Sequence, residues 1–150
     1  MLKNGEKVVA TARRPSTLDD LIPQYPSDQL LVLKVDVSLN QDIVDAFAAT
    51  KDKFGRLDVV VNNAAYAMMG EIESVPEEEG RKLFDTNFWG AVCVSREAVK
   101  FFREVNAPGV GGRLLQISSI TGIVGGAGMG YYAASKHGMW QRTDSSVMWS

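Results

Sequence analysis

The sequence predicts an α/β fold with a doubly wound parallel sheet, in which helices cover both faces of the strands. Short apolar runs alternate with longer helical patterns along the 150 residues, and this alternation is typical of such a sheet. The runs Leu30–Leu33 and Leu57–Val61 are continuously apolar apart from Asp58, which indicates strands buried on both faces. Polar residues follow the strand ends, where open α/β sheets bind their ligands.

The predicted elements follow from apolar runs, capping residues and glycine stops. In chain order they are strands over residues 7–12, 30–35, 57–61 and 113–117 and helices over residues 40–54 and 76–105, followed by a helix that carries Tyr132. Trp89, Phe101 and Phe102 lie in the long helix and are expected to pack in the core or against neighbouring helices.

Composition excludes several classes of protein. A net charge of −2 without a run of like charges gives no indication of a nucleic-acid partner. Cys93 is the only cysteine and His137 the only histidine, so an internal disulfide is excluded and no metal site is expected. No apolar run approaches 18 residues, so we expect a cytoplasmic protein that does not enter a membrane.

One short segment carries the chemistry. Tyr132 and Lys136 are four residues apart and share a helix face if the segment is helical. A nearby ammonium makes a phenol easier to ionise, which gives a proton donor and acceptor usable near neutral pH. Ser119 lies 13 residues upstream, at the end of an apolar run. The plainer alternatives are an exposed helical pair at Tyr132 and Lys136 and a turn-forming serine at Ser119.

Four motifs stand in a fixed order in this chain: Asn62-Asn63-Ala64-Ala65, Asn87-Phe88-Trp89-Gly90, Ser119 and Tyr132-x-x-x-Lys136. Together they resemble the short-chain dehydrogenase/reductase family, and the likeness covers about residues 5 to 138. The resemblance implies a Rossmann-like domain and an oxidoreductase that interconverts a secondary alcohol and a ketone by hydride transfer. Its substrate would be a small molecule.

The resemblance also implies catalytic roles. Tyr132 would be the general acid and base that exchanges a proton with the substrate oxygen. Lys136 would lower the pKa of Tyr132 and bind the nicotinamide ribose. Ser119 would donate a hydrogen bond to the substrate oxygen, and Asn87 would hold a water that relays protons to the lysine.

Cofactor contacts are implied in the same way. Asp36 and Val37 would flank the adenine, and Asn63 would line the floor under the adenosine ribose. Arg13 follows the first strand, where an acid would select NAD and an arginine accommodates the 2′-phosphate of NADP. We therefore predict NADP rather than NAD. The plainer alternatives are a turn or N-cap for Asp36 and a turn for Asn63.

The chain departs from the family at both ends. The first and last strands of the family and its Thr-Gly-x-x-x-Gly-x-Gly turn are not found in the sequence, and the segment 139–150 diverges. Residues 1–150 are therefore interpreted as a partial, incomplete NAD(P)-binding Rossmann domain. In the strand order 3-2-1-4-5-6 the first strand is central. Without it, either an open seam exposes unpaired strand edges, or the two halves slide together.

Two classes of function remain open on the sequence. One is the NADP-dependent oxidoreductase described above. The other is a catalytically inactive fragment, or a non-enzymatic binding module that pairs with a relative through its long helices. Those helices could also join two copies in a homo-oligomer. The polypeptide as written is expected to be at best weakly active and marginally stable.

Overall fold

The computed structural model describes residues 1–143, with side chains up to residue 139. Its elements, in chain order, are β1 (Val8–Ala12), β2 (Leu30–Lys34), α1 (Asn40–Phe54), β3 (Val59–Asn62), α2 (Glu77–Phe84), a π-helical segment (Asp85–Gly90), α3 (Ala91–Glu104), β4 (Arg113–Gln116) and α4 (Gly130–Thr143). Single 3₁₀ turns occupy residues 2–4, 15–18, 22–24 and 120–122.

The four described strands form two separate parallel pairs. β1 pairs with β2 from Val8 opposite Leu30 onwards, and β3 pairs with β4 from Val59 opposite Arg113 onwards. No ladder joins β1 to β3 in the described part of the chain. The sequence left two arrangements undecided, and the structure has the one in which the edges of β1 and β3 are unpaired.

Helix packing, rather than strand pairing, connects the halves. α1 follows β2 and packs on α3, which precedes β4. The rings of Phe47 and Phe101 meet across this contact with centroids 6.2 Å apart and a tilt of 51°. Ile43, Leu83 and Phe102 are also buried in the core. The apolar core therefore lies on the helical side of both strand pairs.

The long predicted helix is interrupted by a π-helical segment. Phe101 and Phe102 are buried as expected, but Trp89 is 56% exposed, so of the two positions expected for it the core is excluded. Asn87 and Gly90 face inward, and neighbouring helical residues point about 100° apart. Trp89 is therefore directed outward, where it meets Phe88 edge-on at 4.9 Å.

α4 continues to Thr143, so its last turn includes the first residues of the divergent segment 139–150. Residues 144–150 of that segment lie outside the described part of the chain. None of the helices within residues 1–143 combines the length and the apolar character needed to span a bilayer.

Candidate active site

The predicted polar residues follow the carboxyl ends of the strands. Arg13 comes directly after β1 and Asn63 directly after β3, while Asp36 follows β2 and Ser119 follows β4. Asn63 is exposed. Its neighbour Asn62 is buried and donates from Nδ2 to the carbonyl oxygen of Ala91 at 3.2 Å. Asn62 therefore fixes the end of β3 to α3 and leaves Asn63 accessible.

A cleft of about 500 Å³ lies where the loops after β1, β2 and β3 meet α2 and the π-helical segment. It is lined by Arg13, Ser38, Tyr66, Glu79, Lys82, Asp85 and Thr86. The loops after β1, β2 and β3 all contribute to this wall, so the two pairs direct their carboxyl ends to one place. Two cationic and two acidic side chains make the lining suitable for a polar ligand.

Asp36 lies in a tight turn beside this cleft. Its Oδ1 accepts hydrogen bonds from the amide and the hydroxyl of Ser38, at 3.0 and 2.7 Å. The bond from the Ser38 hydroxyl is the main reason that the pKa of Asp36 is lowered, and the charge of Arg13 contributes in the same direction. The turn predicted as the plainer alternative is therefore present, and the adenine contact of Asp36 stays a prediction.

The close approach of Val37 explains why position 90 is a glycine. A Cβ atom on Gly90 would lie 2.7 Å from the Val37 carbonyl oxygen and 2.9 Å from its Cγ2. Real Cβ atoms do not approach so closely, so a larger residue would push the turn after β2 away from the π-helical segment. The glycine of the Asn87-x-x-Gly90 motif thus holds Val37 in place.

Asn87 lies in the π-helical segment and is completely buried. Its Oδ1 accepts from the amide of Tyr66 at 3.0 Å, and its Nδ2 donates to the Tyr66 carbonyl at 2.8 Å and to the Ser135 hydroxyl at 3.2 Å. Ser135 donates in turn to the carbonyl oxygen of Tyr132 at 2.8 Å. Asn87 therefore fastens the loop after β3 to α4.

This arrangement limits how Asn87 could act on water. An amide nitrogen has two hydrogens, and both are used within the protein. The predicted water contact would have to use the remaining lone pair of Oδ1 or the main chain. The role of Asn87 as a clamp was not predicted, and neither was that of Ser135. The serine between Tyr132 and Lys136 could have indicated this contact, because a hydroxyl that is buried in a helix needs a hydrogen-bond partner.

Lys136 is buried, with 3% of its surface exposed. Its Nζ donates to the carbonyl oxygen of Ile117 at 2.9 Å, just beyond β4. Burial lowers its pKa, because the charged form loses its hydration. An ammonium has three hydrogens, so two remain for other acceptors. Tyr132 lies one helical turn earlier and is half-buried.

Ser119 caps the 3₁₀ turn at residues 120–122. Its Oγ accepts from the amide of Thr121 at 3.3 Å and from the Thr121 hydroxyl at 2.9 Å. These bonds use its acceptor capacity and leave its own hydrogen to be donated. Such a geometry suits the predicted bond to a substrate oxygen.

The same turn is packed closely onto α4. A Cβ atom on Gly122 would lie 3.0 Å from the Lys136 carbonyl oxygen, and Nδ1 of His137 is 2.8 Å from the Gly122 carbonyl oxygen. His137, which has no predicted chemical role, therefore helps to hold this turn against the helix that carries Tyr132.

Comparison with known proteins identifies the family. The family model described as short chain dehydrogenase matches residues 1–147. The chain belongs to this family. An uncharacterized oxidoreductase of Schizosaccharomyces pombe is 38% identical over 135 residues, which are 90% of this chain and 44% of that protein. The chain thus spans about half the length of the curated relatives that it matches.

Solved structures agree on the fold. A 3-ketoacyl-(acyl-carrier-protein) reductase from Brucella melitensis, complexed with NADH, is 26% identical and superposes with a TM-score of 0.87, over 96% of this chain and 60% of that one. ElxO with NADP bound is 28% identical with a TM-score of 0.81, over 94% and 56% of the two chains. The predicted Rossmann-like parallel α/β fold, present here in part, is confirmed.

The burial of Lys136 predicts a pH dependence of stability. Its pKa in the folded chain lies below the ordinary value of 10.5, so between those two values the unfolded chain binds more protons. Stability is lowest below the folded pKa and rises as the pH approaches 10.5. We expect the free energy of unfolding of the wild type to rise in this range relative to that of Lys136→Met.

Urea denaturation at a series of pH values from neutral to 10.5 measures this difference. Lys100→Met is the matched control, because Lys100 is exposed on α3 and its replacement should leave the slope unchanged. Parallel curves for the wild type and Lys136→Met would show that burial does not shift this lysine.

Proposed function

We propose that the chain carries the catalytic part of an NADP-dependent short-chain oxidoreductase that interconverts a secondary alcohol and a ketone. The supporting observation is the contact between α4 and the loop after β4. In this contact Lys136 bonds to the carbonyl oxygen of Ile117, and His137 bonds to that of Gly122. This contact brings the turn capped by Ser119 next to the helix that bears Tyr132.

In the direction of reduction, the bound nicotinamide would supply a hydride to the carbonyl carbon of the substrate. Ser119 would donate its free hydroxyl hydrogen to the carbonyl oxygen and stabilise the charge that develops there. The phenol of Tyr132 would give its proton to that oxygen. A proton from solvent would then restore the phenol, and the reverse sequence would oxidise the alcohol.

Lys136 would support this proton transfer through its two remaining hydrogens. Its bond to Ile117 holds the ammonium at the end of β4, one helical turn after Tyr132 along α4. Asn87 would act as a positioning residue, since its bonds to Tyr66 and Ser135 fix the loop and the helix on either side.

The adenosine end of the cofactor would occupy the cleft at the carboxyl ends of β1 and β2. Arg13 would bind the 2′-phosphate, because a guanidinium forms paired hydrogen bonds with phosphate oxygens. Asp36, Val37 and Asn63 would line the adenine and ribose sites. Structures of relatives contain NADP in one case and NADH in another. Membership of the family therefore does not decide between the two cofactors, and Arg13 is the residue that supports NADP.

A second candidate is a chain without catalytic activity that serves as a binding module. The unpaired edges of β1 and β3 favour it, because a cofactor site between the strand pairs needs both pairs to be held firmly. A lack of NADPH binding at millimolar cofactor would support this candidate. Homo-oligomers through the helices and a cytoplasmic location remain predictions.

Tyr132→Phe tests the catalytic proposal. Loss of the phenolic proton should lower ketone-dependent oxidation of NADPH by about 10²–10⁴-fold, the range found for general acid–base groups. Binding of NADPH, followed by its fluorescence, should be retained. The rate is measured with purified chain and an aliphatic methyl ketone such as 2-octanone.

Tyr131→Phe is the matched control, because the neighbouring Tyr131 ring packs on Gly80 and its replacement should preserve the rate. Undiminished turnover by Tyr132→Phe would contradict the assignment of the acid. Absence of turnover in the wild type, with NADPH bound, would favour the inactive candidate.

Arg13→Asp tests the choice of cofactor. We expect the wild type to bind NADPH more tightly than NADH, and the variant to reverse this order, since an acid repels the 2′-phosphate and accepts the 2′-hydroxyl. Fluorescence titrations with both nucleotides give the ratio of dissociation constants. Arg14→Asp makes the same change of charge one residue away and should preserve the order. An unchanged ratio in Arg13→Asp would refute the role of Arg13.

A further inference from the structure

Two loops meet beside the residues proposed to be catalytic. One follows β3 and leads to α2, and the other follows β4 and leads to α4. The amide of Gly70 in the first loop donates to the carbonyl oxygen of Gly128 in the second at 2.8 Å. The two loops are therefore joined just before the start of α4, the helix that carries Tyr132.

The loop after β3 is also fixed in two other places. At its beginning, Asn87 accepts from the amide of Tyr66 and donates to its carbonyl oxygen. Further along, Ile72 lies against the first residue of α4, because a Cβ atom on Gly130 would be 3.0 Å from Cδ1 of Ile72. The loop is thus held in place next to the first turn of α4.

Large apolar side chains on these two loops are exposed to solvent. Five of them, with 60% to 77% of their surface exposed, are here called the rim: Met69, Ile72, Ile120, Ile123 and Val124. Ile120 directly follows Ser119, and Gly130, on which Ile72 lies, is two positions before Tyr132. Single exposed apolar residues are common, but a group of them beside a candidate site indicates a binding surface.

The same two loops lack positive charge. Residues 114–135 contain no charged side chain, and residues 62–80 contain five acidic and no basic side chains. The three acids at the start of α2 form ion pairs with Arg81 and Lys82. Their charge is therefore largely offset within α2.

The other two acids are not offset. Glu71 and Glu73 stand on either side of Ile72 and are exposed, and neither forms an ion pair with a residue that the structure describes. Lys136 does not balance them at the surface, because it is 3% exposed and donates to the carbonyl oxygen of Ile117. An anionic group that approaches the rim therefore meets two negative charges and no exposed cation of these loops.

We propose that the rim binds the apolar part of a neutral ketone or secondary alcohol, and that Glu71 and Glu73 select against substrates with a negative charge. This proposal rests on the proposed function, since it names the substrate class for that site. Membership of the family does not decide the class, because the solved relatives include a 3-ketoacyl-(acyl-carrier-protein) reductase. Each methylene group that the rim removes from water should strengthen binding by about three- to fourfold.

The test measures binding of three methyl ketones that differ in charge: 2-octanone, 7-oxooctanoate and the methyl ester of 7-oxooctanoate. The complete chain is labelled at its methionine, isoleucine and valine methyl groups, and NMR titrations are run with and without NADP⁺, which cannot reduce a ketone. The rim methyl signals should shift and saturate with 2-octanone and with the ester. The Kd of 7-oxooctanoate should be at least about tenfold higher than that of the ester, since the ester has the same skeleton without the charge.

Salt separates the contribution of charge from that of apolar contact. Raising the salt concentration from about 0.05 M to about 0.5 M should narrow the gap between 7-oxooctanoate and its ester, because exposed charges are screened. The Kd of 2-octanone should not rise in the same series, since apolar contact is not weakened by screening.

The double variant Glu71→Gln with Glu73→Gln removes both charges and keeps the size of the side chains. We expect it to lower the ratio of the Kd of 7-oxooctanoate to that of its ester by at least about threefold. Glu104→Gln is the matched control, because Glu104 is exposed at the end of α3, before the start of β4, and its replacement should preserve this ratio.

Three results would overturn the proposal. One is equal affinity for 7-oxooctanoate and its ester at low salt. Another is the absence of a response of the rim methyl groups to 2-octanone, both with and without NADP⁺. The third is a dimeric free chain with contacts between copies at the rim methyl groups, which would make a second copy the occupant. Saturable binding at the rim without NADPH-dependent turnover of 2-octanone would instead contradict the proposed function and leave the selection for neutral, apolar ligands in place.

Discussion

The contact of α1 with α3 is the constraint on which the rest of the structure depends. The two strand pairs are not joined by a ladder in the described residues, so their relative position is set by the helices. Phe47 against Phe101 and Val37 against Gly90 link the β1–β2 half to the β3–β4 half. The first contact joins two helices and the second joins the turn after β2 to the π-helical segment, and together they keep the halves side by side.

The residues proposed to be catalytic lie within the second half. Ser119, Tyr132, Lys136 and Asn87 are all carried by the π-helical segment, α4 and the loop after β4. Direct hydrogen bonds connect these elements, from Asn87 to Ser135 and from Lys136 to the carbonyl oxygen of Ile117. The proposed adenosine site, in contrast, needs both halves. Cofactor binding is therefore more sensitive to the split sheet than the arrangement of the catalytic groups.

Sequence patterns predicted much of this architecture. Continuous apolar runs located the four described strands to within a few residues, and the strand order of the family indicated where a seam could lie but did not decide between an open seam and two halves that slide together. The π-helical segment was not predicted, because a single extra residue in a helical turn leaves the apolar periodicity almost unchanged. Trp89 lies in that segment and is exposed, whereas hydrophobicity alone favoured a packed position.

The sequence predicted which residues belong to the candidate site, but not which groups they contact. Motif spacing pointed to Asn87 and Lys136, yet the bonds to Tyr66, Ser135 and Ile117 depend on which backbone groups lie next to them in the folded chain. Likewise, a sequence cannot show that Gly90 is needed for the approach of Val37, since that contact joins residues more than 50 positions apart.

The most direct test of the account is a nuclear Overhauser spectrum of the isotope-labelled free chain. Backbone contacts across strands should be seen between β1 and β2 and between β3 and β4, and side-chain contacts should join Phe47 to Phe101. None should join the backbones of β1 and β3. Close backbone contacts between Val9 or Thr11 and Val59 or Val61 would show a closed sheet and would contradict the account.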